Sequence, residues 1–272
     1  MGRRYLIIIG ALALLVGVIV FFQKRGPEEL SREELPLVVE EPPAQLEPPP
    51  GPPPIVSPVP REPVPPPPQV TEPEPPPEPL PALDESDPAL VESLAGVTDQ
   101  EWISQSLVAQ DVARKIVVTV DNLPRQKVAQ QLRPIRPVPG RFLVDGPEDA
   151  RVISPDNYSR YSAFVKIVDA TDAKQIAALY QRYYPLFQQA YRELGYPTQS
   201  FNARVIEVID DLLAAPAPAG PIRLERPHVL YTYADEDLEA ASAGQKVLMR
   251  MGPSNAAVVK AKLREIRAAI IE

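Results

Sequence analysis

A mainly α domain with a small β-sheet or hairpin, carried behind a transmembrane helix and a disordered proline-rich linker, is the fold class the sequence predicts. Three observations lead to it: an uncharged apolar run near the start, a crowding of proline after it, and repeated helix start and stop signals beyond Asp84. They divide the chain into an anchor with basic flanks (residues 1–25), a Pro/Glu-rich tether (26–83) and a mainly helical globular domain (84–272).

The run from Tyr5 to Phe22 (YLIIIGALALLVGVIVFF) carries no charge. As a helix rising ~1.5 Å per residue it is just long enough to cross a hydrocarbon core of ~30 Å. Arg3 and Arg4 mark one end, Lys24 and Arg25 the other. A cleavable signal would have a shorter apolar core and a small-residue cleavage site, whereas Phe21, Phe22, Gln23, Lys24 and Arg25 follow this one, so a retained anchor is expected. Basic residues are nearly balanced across the span. A very short amino-terminal tail ahead of a long remainder suits a signal anchor with its N-terminus inside. The layout therefore predicts a membrane crossed once, with the C-terminal domain on the exported side.

Residues 26–83 hold about 23 of the 37 prolines, interleaved with glutamates such as Glu62, Glu72, Glu74 and Glu78. Proline removes a backbone donor and fixes φ, and like charges repel, so this stretch favours extended polyproline II over a packed core. At ~3.1 Å per residue it could reach roughly 175 Å. PxxP spacing recurs within it, as such a composition makes nearly automatic, and a plain spacer accounts for these residues without a proline-recognising partner. The net charge of −8 divides unevenly, about +4 in residues 1–25, about −9 in 26–83 and about −3 beyond. The globular part has no basic excess, and no nucleic-acid partner is expected. With no cysteine anywhere, disulfides, thiol nucleophiles and thiolate metal sites are excluded.

In the globular part, Asp87-Pro88 opens a short helix over residues 89–94, and Thr98-Asp99-Gln100-Glu101 has capping-box spacing for a second over 101–108. Residues 111–121 read as helix in the first half and β-branched strand in the second. Ser154-Pro155 caps a helix to about residue 168, and Thr171 or Asp172 starts a longer one ending at Gly195, with a kink expected before Pro185. Further helices are expected over 198–214 and 253–270, the first stopped by Ala-Pro-Ala-Pro. Strand candidates are 141–144, 222–224, 229–233 and 247–251.

Candidate chemistry is sparse. His228 is the only histidine, so a His-pair metal site cannot form, and no Gly-x-Ser-x-Gly, Ser-x-x-Lys, His-Glu-x-x-His or phosphate-binding glycine loop is present to partner it. No cofactor is expected. Two acidic groups, Glu207, Asp210 and Asp211 on a predicted helix and Asp235, Glu236, Asp237 and Glu239 at a helix start, leave a carboxylate-dependent peptidoglycan hydrolase as the enzymatic alternative. Ile176, Tyr180, Tyr183, Phe187, Ala190 and Leu194 lie along one helical stripe flanked by Tyr184 and Tyr191. Its aromatic face (Tyr180, Tyr184, Phe187) is more often core than ligand platform. Between Asp121 and Asp145 no acid occurs while Arg125, Lys127, Arg133, Arg136 and Arg141 accumulate among prolines. Arg133, Arg136 and Arg141 thus form a candidate surface for an anion or a partner, against the alternative of pairing with Asp145, Glu148 and Asp149.

Leu94-Ala95-Gly96, Arg133-Pro134-Ile135-Arg136-Pro137-Val138, Tyr158-Ser159-Arg160-Tyr161 and Phe201-Asn202-Ala203-Arg204-Val205-Ile206 together resemble a bacterial single-pass, membrane-anchored family with a C-terminal domain of unknown function. The resemblance implies an address, a bacterial inner membrane crossed once with the C-terminal domain periplasmic, and no activity. TonB-type energy transducers look similar in layout, but the span here lacks the histidine that their coupling requires. Division proteins of opposite topology offer the other layout, a cytoplasmic scaffold. The expectation is a tethered, non-enzymatic binding domain whose partners are the lipid bilayer, through Tyr5 to Phe22, and an envelope protein or peptidoglycan.

Overall fold

The computed structural model describes residues 79–126 and 132–271. The expected span, nearly all of the tether and Lys127 lie outside the described residues. Among the described residues no helix is long and apolar enough to cross a membrane.

A 3₁₀ turn at Leu83–Glu85 leads into α1 (Asp87–Val97), α2 (Gln100–Ser106) and α3 (Val112–Asn122). Two short strands, β1 (Val144–Asp145) and β2 (Val152–Ile153), precede α4 (Pro155–Ser159), α5 (Ser162–Ala170), α6 (Ala173–Glu193) and α7 (Phe201–Leu213). The strands β3 (Leu224–Glu225) and β4 (Thr232–Tyr233) then lead to α8 (Glu236–Ala240), α9 (Ala243–Arg250) and α10 (Pro253–Ile271). The described residues are thus mainly helical with two small antiparallel hairpins. Leu80 packs on the main core and Leu83 is buried, so packing begins a few residues ahead of Asp84.

The middle of the bundle is α6, against which α3 and α10 pack, with α5 and α7 beside α10. Asp172 caps α6 by accepting from the amides of Lys174 and Gln175 at 2.7 and 3.3 Å. Ile176, Tyr180, Tyr183, Phe187 and Ala190 are buried along one face, each large side chain contributing ~1.5–3 kcal/mol. The helix runs unbroken through Pro185. Both Pro185 and Gln181, whose carbonyl loses its intrahelical donor, are exposed, so water can take the place of the missing amide. Helix α3 settles the ambiguity of residues 111–121: Val112, Ile116, Val117 and Val120 are buried as a helical stripe. Its first amides are capped from a distance. The Asp87 carboxylate accepts from the amides of Asp111 and Val112 at 2.7 and 2.8 Å.

The far end of α3 is tied by a buried charge. Asp121, with a side chain 4% exposed, accepts from Arg125 at 2.7 Å, from Arg204 of α7 at 3.1 Å and from the Tyr196 hydroxyl at 3.3 Å. Just beyond, the Leu123 and Arg125 carbonyls accept from the Gly244 and Ala243 amides, docking the start of α9 on α3. A Cβ on Gly244 would come within 2.5 Å of the Leu212 side chain, which would have to shift to admit one.

Three sequence expectations are corrected. Residues 247–251 belong not to a strand but mostly to α9, because Ser242 caps the segment through the Gln245 amide and both Leu248 and Met249 are buried. The single helix expected over 155–168 is two, α4 and α5, interrupted where Tyr161 turns into the core at 1% exposure. The third concerns a missed strand: Val152–Ile153 pairs with β1 in register Val144↔Ile153, and the two hairpins are joined by a bridge between Val152 and Arg223. Around them Ile153, Ile222, Leu224, Tyr233 and Met249 make a second, smaller core.

Removing the buried carboxylate should leave Arg204 with only the exposed Glu207 as an ionic partner and strip the Tyr196 hydroxyl of its acceptor, so Asp121→Ala is expected to cost about 3 kcal/mol. Urea unfolding followed by circular dichroism checks this. A cost below about 1 kcal/mol would show that α3 and α7 are held by apolar packing alone.

Candidate functional site

Between the two cores lies a groove of about 540 Å³. One wall is the Ala-Pro-Ala-Pro-Ala-Gly-Pro segment after α7, represented by Pro216, Pro218 and Pro221. The other is the first half of α10, which presents Pro253, Ala256, Ala257 and Lys260 at helical spacing on one face. Leu248 and Met249 of α9, with Ile153, Ile222 and Tyr158, complete the apolar lining. Gly252 positions the tyrosine: its φ is +85° and a Cβ there would meet the Tyr158 ring at 2.5 Å. The Asn255 amide holds the same residue by donating to the Tyr158 carbonyl at 2.9 Å.

Lys260 is the one charged residue in the lining. Its ammonium donates to the Ala215 carbonyl at 2.6 Å, fastening the proline-rich wall to α10. Burial, and then the neighbouring Arg264, lower its pKa from 10.5. Burial raises that of the Tyr158 phenol. No carboxylate and no nucleophile paired with a base lines the groove, so its chemistry is that of an apolar binding surface with a cation at the rim.

The residues singled out in the sequence go elsewhere. Arg133 is buried at 7% exposure, against its expected place on an exposed loop. The reason is local: the Val108 amide donates to the Pro134 carbonyl, the Arg136 amide donates to the Ser106 carbonyl, and Ile135 is buried beside Leu107. Burial lowers the Arg133 guanidinium to about 10, which leaves it protonated at neutral pH. Arg136 is exposed and donates to the Gln105 carbonyl at 2.6 Å, Arg125 turns back to Asp121, and Arg141 is exposed ahead of β1. Arg125 and Arg136 are thus held by different partners, Asp121 and the Gln105 carbonyl. Asp145, expected as a pairing partner, accepts instead from the Ser154 hydroxyl at 2.8 Å.

The aromatic stripe lies in the core. Tyr180 and Phe187 stack at 6.0 Å between ring centroids, and Phe187 meets Phe201 at 6.1 Å. Tyr184 is half-buried and donates to Gln188 at 2.8 Å. Leu194, at the end of the stripe, is exposed. The acids are also occupied: Asp210 takes both nitrogens of an Arg267 fork at 2.7 and 3.0 Å, Glu207 pairs with Arg204, and Asp211 accepts from Ser242 at 2.7 Å. Asp235 caps α8, while Glu239 accepts from Lys246 and the Tyr233 amide. His228 is exposed in the β3–β4 turn. Among the described residues no group of three or more His, Asp or Glu side chains could hold a metal. The groove itself was missed in the sequence, where the run after α7 read only as a helix stop. Its signal was the alternation of proline with alanine.

A family model described as a protein of unknown function (DUF3014) matches residues 112–267, which take in α3 through most of α10. No curated protein matches the chain, and no solved structure does.

Three measurements follow from these placements. Phe187→Ala should cost about 3–5 kcal/mol, as truncation of a buried aromatic does. The Tyr180 hydroxyl is buried with no hydrogen-bond partner among the described residues, so Tyr180→Phe should instead stabilise by about 1 kcal/mol in the same denaturation experiment. The Arg267 guanidinium holds the Asp210 carboxyl below its ordinary value of 3.8. The pair therefore contributes stability above that value and loses it as pH falls through the lowered folded-state pKa. Arg267→Ala should move the Asp210 midpoint upward in an NMR pH titration.

Proposed function

The chain belongs to the DUF3014 family, and we propose that it is a single-pass protein of the bacterial inner membrane whose helical domain binds an envelope component through the groove. The span between Tyr5 and Phe22 supplies the anchor, the Pro/Glu-rich tether supplies reach, and the domain works on the periplasmic side. The observation that carries the reading is the groove's makeup: deep apolar walls, one cation, and no acid–base pair to run a reaction. Such walls favour a protein segment over peptidoglycan, because a glycan needs many hydrogen-bonding groups and this lining offers few. A hydrolase is the weaker alternative, since Glu207 pairs with Arg204 within α7, while Asp210 and Asp211 are tied to Arg267 of α10 and to Ser242 at the start of α9.

Filling the groove tests binding. Ala257 is exposed on α10, so Ala257→Trp should leave the fold intact by circular dichroism yet fail to complement a chromosomal deletion. Full complementation by that variant would sink the groove as the functional surface. Incubation of the purified chain with peptidoglycan should release no soluble fragments. Release that disappears with Glu207→Gln or Asp210→Asn would establish the hydrolase instead. A cysteine placed at the exposed Ser254 should react with an impermeant maleimide once the outer membrane is opened. Labelling only after inner-membrane lysis would put the domain in the cytoplasm.

A further inference from the structure

The groove's walls restrict what can lie in it. Five of its lining residues, Pro155, Pro216, Pro218, Pro221 and Pro253, have no backbone N–H. A ligand that needs a ladder of main-chain hydrogen bonds, such as an added β-strand, finds too few donors here. A polyproline II segment has no such need, since its backbone makes no internal hydrogen bonds and stays solvated while its rings pack on apolar and aromatic surface. The Tyr158 ring, held over Gly252, offers a flat face of that kind.

Charge narrows the choice further. The lining contains no carboxylate and one ammonium, Lys260, and Arg264 follows one turn later on α10, close enough to perturb it. An acidic ligand suits this rim. Residues 62–79 of the sequence read EPVPPPPQVTEPEPPPEP, ten prolines and four glutamates with no basic residue. That composition favours polyproline II. Stiff over several residues, a stretch of this composition is disposed to extend away from the domain it precedes.

Resting on the groove as the binding surface, we propose that its occupant is the acidic proline-rich segment 62–79 of a second copy of this chain. Prolines lie against Tyr158, Met249 and the alanines of α10, and the glutamates face Lys260 and Arg264. The contact joins two different surfaces, so a second copy either returns its own segment and closes a swapped pair or passes the contact on to a third chain.

The absence of cysteine makes the test direct. Two full-length chains with different tags, one carrying Ala219→Cys at the groove and the other Gln69→Cys in the segment, are mixed in detergent and treated with a short bismaleimide. A crosslink between the two tags is expected. It should fall at least tenfold with Ala257→Trp in the groove-bearing copy, and excess synthetic peptide 62–79 should compete it away. A peptide with its four glutamates changed to lysine should compete at least tenfold less well. Two results would overturn the proposal. If one chain carrying both cysteines closes on itself at high dilution while the mixed pair gives no product, the second copy is wrong. If neither arrangement crosslinks and the peptide does not bind, the occupant is wrong. In that second case a continued failure of Ala257→Trp to complement the deletion keeps the groove as a binding surface for some other ligand, whereas full complementation removes both.

Discussion

The carboxylate of Asp121 is the point on which the rest of the domain depends. It lies at the end of α3, almost free of solvent, and gathers Arg125 of its own segment, Arg204 of α7 and Tyr196 from the α6–α7 connection. An unpaired charge at that depth would cost several kcal/mol, so the three partners must arrive together. Once they do, the carbonyls of Leu123 and Arg125 are aimed at the start of α9. That helix in turn supplies Leu248 and Met249 to the groove. A buried ion pair on one side of the bundle thus sets the floor of a surface on another.

The groove is built almost without polar chemistry. Its shape comes from residues chosen for what they lack: prolines without amide hydrogens, alanines without bulk, and a glycine that lets Tyr158 approach the backbone. The single lysine serves twice, bracing the loop through the Ala215 carbonyl and leaving a positive rim. Selectivity on the proposed binding surface would rest on backbone conformation and sign of charge more than on hydrogen bonding.

Much of the helical scaffold was legible in the residues themselves. Local signals did the work: Ser154 and Asp172 cap the helices they were expected to start, Gly195 takes a positive φ just past α6, and the Tyr180–Phe187 stripe is core. What stayed hidden depends on partners far away in sequence. The cap of α3 comes from Asp87, which no local pattern could reveal. Arg133 looked exposed because it sits among prolines, yet bonds from residues 106–108 fold that stretch inward. Residues 247–251 looked extended until Ser242 and two cores claimed them as helix. The basic run appeared to be a site because charges adjacent in sequence are easy to see, whereas the groove's lining comes from stretches scattered from Val152 to Lys260.

The entry of the chain into its fold has a mechanical meaning. Leu83 is buried, the Ser86 hydroxyl donates back to its carbonyl, and Asp84 pairs with Arg114, which also holds Glu193 at the end of α6. Three residues after Asp84, Asp87 grips the first amides of α3. Any pull arriving through residue 79 is therefore shared at once between the two central helices instead of peeling α1 away first. The groove, whose lining begins only at Val152, takes no residue from this entry segment.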